Sequence, residues 1–187
     1  MAEPLNMLLS VATGIALAAA AGFRAFVPLL AAGLAIHFGW VEPGRGFDWL
    51  GEPVVLTALG IATVAEIAAY YLPGVDHVLD LLGAPVAVIA GIVAAAGVMV
   101  GLPDWLRWLT AIGAGGAIAT AGHALNAVGR AKTGAMSGGI GNHAYSTAEL
   151  ASSIVISALA VVLPVIAILV LAALGVWMLQ RRRRRKA

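Results

Sequence analysis

The first apolar run of the chain is too long for one membrane crossing and is broken in its middle. Residues 5–38 are almost entirely apolar, whereas one transmembrane helix needs about 20 apolar residues. Within residues 22–28 (GFRAFVP), the charged Arg24 stands between a glycine and a proline. Charged side chains at lipid depth usually face the protein interior or a water-filled cavity. The run predicts a broken helical segment, either a hairpin or a kinked span, with Arg24 at a candidate site.

The composition of the chain is typical of a helical membrane protein. Of its 187 residues, 61% are hydrophobic and 11% are charged, while a soluble domain carries about 25% charged residues. Alanine and glycine are abundant, and small residues allow membrane helices to approach closely. The chain has no cysteine, which excludes disulfides and thiolate metal sites. We expect one all-α membrane domain over residues 1–187, without a cofactor.

Apolar segments give the expected number of helices. They cover residues 5–38, 53–72, 81–101, 104–128 and 149–180. The last segment is also too long for one crossing, and it carries Pro164, which breaks or kinks a helix. It is either two short helices, at about 149–163 and 165–180, or one kinked helix. The prediction is a polytopic protein of about six helical segments with broken helices.

A weak internal repeat relates the two halves of the chain. Residues 20–23 (AAGF) resemble residues 120–123 (TAGH), and we expect an interruption after each. Such matches also arise by chance in sequence rich in Ala, Gly and Val. If the repeat is real, the halves 5–101 and 104–180 would each cross three times and have opposite orientations. Inverted repeats with paired broken helices are typical of secondary transporters.

The basic tail predicts the orientation of the chain. Residues 181–187 contain five arginines and one lysine, and such clusters lie on the cytoplasmic side beside anionic headgroups. We expect a multi-pass protein of the inner (plasma) membrane, whose tail contacts lipid and not nucleic acid. Residues 1–6 contain no Lys or Arg, so we expect the N-terminus to be retained. If residues 149–180 form a hairpin, loop 129–147 lies on the cytoplasmic side and loop 40–52 on the outer side. If residues 149–180 form a single span, the orientation of the preceding chain is inverted.

Two ionisable residues interrupt apolar segments in the first half. Arg24 either lies at a hairpin turn and reaches the interface, or binds an anion or a counter-ion at the helix break. Glu66 shares a helix face with Thr63 and Tyr70 at i, i+3, i+7 spacing. Its carboxylate either forms an ion pair with Arg24 or Arg130, or serves as a proton or cation site.

A polar stripe follows the segment 104–128. His123 and Arg130 lie along one helix face with Asn126 beside it. Such a stripe on a membrane helix faces protein or water and not lipid. His123 can transfer protons near neutral pH, or it is a hydrogen-bonded histidine of the interior.

The longest polar stretch of the chain runs from residue 132 to residue 149. It is either a plain cytoplasmic loop or a re-entrant loop that lines a cavity. It contributes Asn142 and Glu149 as candidate site residues. We expect Ser146 or Thr147 to cap a helix that begins near Glu149, whose carboxylate is favourable in a first turn.

A candidate metal site follows the second apolar segment. Asp76 and Asp80 are spaced i, i+4, and His77 lies between them. Carboxylate oxygens and an imidazole can bind a divalent cation, although three ligands fall short of a full shell. The alternative is a helix N-cap followed by a solvated first turn.

These residues together resemble a family of small bacterial integral membrane proteins that is known only as a domain of unknown function. The resemblance covers nearly the whole chain. It depends on residues 22–28 (GFRAFVP), on residues 65–66 (AE) followed by 72–76 (LPGVD), and on residues 141–142 (GN) followed by Ser146 and Glu149. The family has an acidic residue where this chain has Tyr70 or Tyr71, and a proline in place of His143. The resemblance implies a membrane protein and supplies no activity.

The sequence favours a small secondary transporter or channel whose polar site lies at broken helices near the bilayer midplane. Its partners would be the lipid bilayer and a small solute, ion or proton. The sequence is compatible with a homo-oligomer as well as with a monomer. The alternative is a non-transporting scaffold or lipid-interacting subunit whose buried charges form structural pairs. We expect no enzyme, because no combination of nucleophile and base is evident.

Overall fold

A computed structural model describes residues 2–70, 75–138 and 141–164, together with the isolated positions 166, 169 and 173; side chains are described from residue 4, and between 83 and 138 in the second stretch. The described residues form helices and connecting turns, which confirms the all-α prediction. The helices are α1 (Ala2–Ala21), α2 (Phe26–His37), α3 (Pro53–Ala69), α4 (Val75–Val98), α5 (Asp104–Thr110), α6 (Ala117–Ser137) and α7 (Gly141–Val162). A 3-10 turn, Asp48–Gly51, precedes α3, and a π-helical turn, Ala111–Gly116, joins α5 to α6. Counting α5, the π turn and α6 as one broken helix gives six described helices.

The first apolar run is broken where the sequence predicts. Helix α1 ends at Ala21, and the turn hydrogen bond from Phe23 N to Ala20 O measures 3.0 Å. Helix α2 begins at Phe26, and Pro28 lies in its first turn, where a missing N–H costs little. With 12 residues, α2 is about 18 Å long, shorter than the roughly 30 Å hydrocarbon core.

Small residues allow the helices to cross closely around α1. Helix α1 packs against α4, α6 and α7. Where α1 ends, a Cβ atom placed on Gly22 would lie 2.9 Å from both the Ala119 carbonyl oxygen and the Gly122 Cα atom. A Cβ on Gly91 of α4 would lie 2.7 Å from that of Ala119. Glycines and alanines thus bring the backbones of α1, α4 and α6 into contact.

The predicted polar loop at residues 129–147 is wrong, because most of it is helical. Helix α6 continues to Ser137, and α7 begins at Gly141. The turn between them contains Gly138, whose φ of 61° is the left-handed conformation common at helix ends. Ser146 and Thr147 therefore lie inside α7 and do not cap it. The helical pattern continues through this stretch although its residues are polar.

The internal repeat stays a prediction. Gly22 and Gly122, which the repeat aligns, do pack against each other. The expected interruption after residue 123 is absent, however, since α6 is continuous from Ala117 to Ser137 and the π turn lies before it. Most of residues 165–180 and the tail 181–187 lie outside the described residues, so the hairpin, the second half of the repeat and the orientation also stay predictions.

The described helices give a weak indication of membrane association. By length and composition alone, the segments Pro4–Ala21 and Gly141–Val162 are able to cross a membrane, a test that some soluble core helices also pass. Three shorter apolar helices accompany them: Phe26–His37, Pro53–Ala69 and Gly83–Val98.

Candidate functional site

A buried cluster of charged residues joins the helix break to α6 and α7. The Glu149 carboxylate accepts hydrogen bonds from Arg130 Nη2 at 2.7 Å to Oε1 and 2.6 Å to Oε2. Arg24 Nη2 lies 3.6 Å from the same Oε2 atom. The three side chains are between 0% and 4% exposed. One carboxylate on α7 is therefore shared by arginines from two other parts of the chain, and we call Arg24, Arg130 and Glu149 the charge cluster.

The Tyr70 ring packs against both arginines of the charge cluster. The guanidinium carbon of Arg24 lies 3.8 Å from the ring centre, and that of Arg130 lies 4.3 Å from it. Both distances are well within the range of cation–π attraction. Tyr70 directly follows α3, so these contacts fix the end of α3 against the helix break and α6.

Arg24 retains buried hydrogen-bonding capacity. Its Nη2 atom donates to the Ser146 carbonyl oxygen at 3.1 Å. Its Nε and Nη1 atoms are buried without a hydrogen-bond partner in the described part of the chain. Buried donors without acceptors are uncommon and costly. The Arg24 side chain therefore retains two donors that its described neighbours do not satisfy.

Glu66 caps a neighbouring helix. Its Oε1 accepts the Ala25 N–H at 2.8 Å, and its Oε2 accepts the Phe26 N–H at 3.2 Å. These amides begin α2, where unpaired N–H groups and the helix dipole favour a carboxylate. The sequence offers an ion pair of Glu66 with Arg24 or Arg130 as one alternative. Among the described residues, no such ion pair is present.

Side chains from α6 and α7 also satisfy the carbonyl groups of the break. Asn126 Nδ2 donates to Gly22 O at 3.2 Å, and Ser153 Oγ donates to Ala20 O at 3.1 Å. Tyr145 OH approaches Asn126 Oδ1 at 3.5 Å. A buried helix break requires such partners, because its backbone carbonyl groups lose the hydrogen bonds of the helix.

A cleft lies beside Tyr70, which forms part of its lining. It has a volume of about 410 Å³ and is bordered by α3, α4, α6 and the helix break. Most of its lining is apolar, and the polar side chains among its described lining residues are Glu66, Tyr70 and His123. Ala65 and Val86, which are exposed, mark where the cleft reaches the surface between α3 and α4.

One comparison identifies the family of the chain. The family model described as DUF4126, domain of unknown function, matches residues 11–184. The chain belongs to the DUF4126 family. No curated protein and no solved structure matches it.

In this DUF4126 chain, the predicted site residues fall into two groups. Arg24, Arg130 and Glu149 meet in the sealed charge cluster, with Asn126 beside them. Glu66 and His123 border the open cleft. Ionisable residues from distant segments therefore lie in two places, a sealed cluster and the border of an open cleft.

Asn142 is not among the residues of the charge cluster in the DUF4126 chain. Asn142 packs near Gly134 at the turn between α6 and α7, where a Cβ on that glycine would lie 2.9 Å from Asn142 Oδ1. The side chains of Asp76, His77 and Asp80 lie outside the described residues. Among the residues whose side chains are described, no three His, Asp or Glu side chains come close enough to bind a metal.

Sequence reasoning missed two partners in the DUF4126 site. The sequence predicts that Tyr70 shares a helix face with Glu66, but it does not predict that the ring contacts two arginines. Ser153 was not singled out, although its hydroxyl bonds the end of α1. A signal for Tyr70 existed, because it follows Glu66 by one helical turn.

Proposed function

We propose that this DUF4126 protein is a multi-pass membrane protein that moves a small solute, as a secondary transporter or channel, by way of the cleft beside Glu66. The solute would be an ion or another small molecule. Protons would be coupled through Glu66 or His123. The membrane would be the inner membrane, with the basic tail in the cytoplasm and lipid on the outer faces of the helices.

The distribution of polarity supports a membrane location. On α3 the side chains of Val54, Ile61 and Val64 are 78%, 67% and 67% exposed, although water-exposed helices are usually polar on that face. Charged and hydroxyl side chains instead lie inside, as at Arg24 and Ser153. Apolar outside and polar inside is the arrangement that lipid favours and water does not.

The tryptophans support the same location. The Phe47 and Trp108 ring centres lie 5.9 Å apart, and Arg45 contacts Asp104 at 3.3 Å, so loop 40–52 and the start of α5 share one end of the bundle. Exposed tryptophans gather there, as they do at membrane interfaces. They are Trp40, Trp49, Trp105 and Trp108.

The observation that carries the transport proposal is the position of the cleft. It runs from the exposed flank of α3 and α4 to Glu66, which caps the short helix α2 at a break. Transporter sites are typically formed at broken helices, whose ends face the solute or the coupling ion. A cavity of this kind is what a set of purely structural charge pairs would lack.

Flux measurements on the full chain in liposomes test the proposal. A pH-sensitive dye inside the vesicles reports proton movement after a potassium diffusion potential is applied with valinomycin. We expect proton flux above that of empty vesicles, and loss of this flux in Glu66→Gln. Glu42→Gln, which changes an exposed carboxylate, should keep it.

A second variant separates blocked transport from misfolding. Ala65→Phe places a ring in the cleft mouth without removing a polar group, while Ala58→Phe places one on an exposed position of the same helix. We expect the first to reduce flux and the second to have no effect. Unmodified protein without flux above empty vesicles, or equal flux in both phenylalanine variants, would contradict the proposal.

The non-transporting scaffold is the second candidate, and the charge cluster favours it. Arg24, Arg130 and Glu149 are sealed and bonded to one another. Such buried pairs can specify one packing of helices without any further role. Under this hypothesis, cluster variants change stability and no variant changes flux.

A further inference from the structure

The cleft between α3 and α4 combines an apolar wall with one carboxylate. We propose that it binds organic cations with an apolar body, such as hydrophobic amines or quaternary ammonium ions. This inference rests on the proposed function, because it names the class of solute that the same cleft would take. Nothing in the family description assigns a ligand to it.

The size and lining of the cleft fit a small organic molecule. Small-molecule sites are concave cavities of about 300–1,000 Å³ with mostly apolar walls and few polar groups, and this cleft measures about 410 Å³. Its walls are largely alanine side chains with the rings of Phe23 and Phe26. A fully hydrated inorganic ion would find few partners on such walls.

The carboxylate of Glu66 gives the cleft a preference for positive charge. Each of its oxygens accepts one backbone N–H, which leaves a further lone pair on each for a ligand. Among the described residues it has no ion-pair partner. Phe23 and Phe26 line the same cavity, and aromatic faces attract ammonium groups.

The buried arginines lie outside the lining of the cleft, although Arg24 acts on Glu66 electrostatically. Arg24 and Arg130 pack against the Tyr70 ring and share the Glu149 carboxylate. Neither is among the described residues that line the cleft. The carboxylate of Glu66 is therefore the charge nearest to a bound molecule in the described part of the cavity.

The mouth of the cleft suits a ligand that arrives from the lipid phase. Ala65 and Val86 line the cleft and are exposed at the surface. The surface beside them carries Val64, 67% exposed, and Ile89, 61% exposed. An amphipathic cation dissolved in the bilayer would meet this apolar flank before it met Glu66.

Calorimetric titration of the purified full chain in detergent tests the inference. The probes are benzyltrimethylammonium, its neutral carbon analogue neopentylbenzene, and the anion phenylmethanesulfonate. We expect the cation to bind about tenfold or more tightly than either of the others. Glu66→Gln should remove this selectivity, Ala65→Phe should abolish binding, and Ala58→Phe should bind as the unmodified protein does.

Two results would overturn the inference: equal binding of the cation and the neutral analogue, or full binding by Ala65→Phe. Because Glu66→Gln also alters the cap of α2, the two phenylalanine variants decide the matter if that variant fails to fold. Cation binding without flux would remove transport and keep the site. Proton flux without cation binding would keep transport and remove the proposed ligand class.

Discussion

The Arg24 guanidinium carbon lies 3.8 Å from the centre of the Tyr70 ring, and the same tyrosine borders the cleft. One aromatic side chain thus contacts both a sealed set of charges and an open cavity. The charge cluster joins the helix break to α6 and α7, and Glu66 borders the cavity.

Removing the shared carboxylate should destabilise the protein strongly. Glu149→Gln leaves Arg24 and Arg130 facing each other without that anion, and breaking a buried ion pair from one side costs about 3–5 kcal/mol. Unfolding in detergent, followed by circular dichroism, measures the loss. The exposed Glu42→Gln serves as the control, and equal stability of the two variants would contradict a structural role for the cluster.

The Tyr70 ring should stabilise the protein because two guanidinium groups pack against it. Tyr70→Leu removes the surface on which two guanidinium groups pack, and we expect a loss of about 1–2 kcal/mol. Tyr70→Phe keeps that surface and should lose less. The same unfolding measurement compares the two variants, and an equal loss in both would assign the effect to the hydroxyl group instead.

The close crossing of α1 and α6 should not accept a methyl group. A Cβ in Gly22→Ala would lie 2.9 Å from backbone atoms of Ala119 and Gly122, and overpacking of this kind costs about 1–3 kcal/mol. In Gly60→Ala of α3, the new Cβ would have nothing within 4 Å, so helix propensity should add up to about 1 kcal/mol. We expect the melting temperature to fall in Gly22→Ala and to stay the same or rise in Gly60→Ala.

Cysteine labelling tests the proposed orientation. The chain has no cysteine, so a single introduced thiol is the one site of labelling. Arg45→Cys, in an exposed part of loop 40–52, should react with a membrane-impermeant maleimide in intact cells. Lys132→Cys, exposed on α6, should react only after the cells are opened. If Lys132→Cys reacts in intact cells and Arg45→Cys reacts only in opened cells, the orientation is the opposite of the one proposed.

Much of the helical pattern could be predicted from sequence, because apolar length and the position of Gly and Pro report directly on helices. The break between α1 and α2 is the clearest case. The loop predicted for residues 132–149 is wrong, because a polar stretch can also be helical. The helices there are polar because His143 and its neighbours lie on exposed faces, while Glu149 and Ser153 turn inward to the cluster.

The convergence of Arg24, Arg130 and Glu149 could be anticipated in outline, because a buried charge requires a partner. The pairing of both arginines with Glu149 could not be anticipated, because it depends on which helices cross and at which residues. Glu66 shows the limit most clearly. Its partners are two backbone N–H groups, and a sequence gives no list of the amides that a helix break leaves unpaired.

The attachment of Glu66 also has a mechanical consequence. The carboxylate belongs to α3, yet the amides that it holds belong to the first turn of α2. An outward swing of α3 that widened the cavity would strip those amides of acceptors, at a cost of about 1.5–3 kcal/mol for each charge-assisted bond. Binding of a large ligand in the cleft and fraying of the first turn of α2 would then occur together. Binding at the cleft would therefore change the structure in the middle of the bundle.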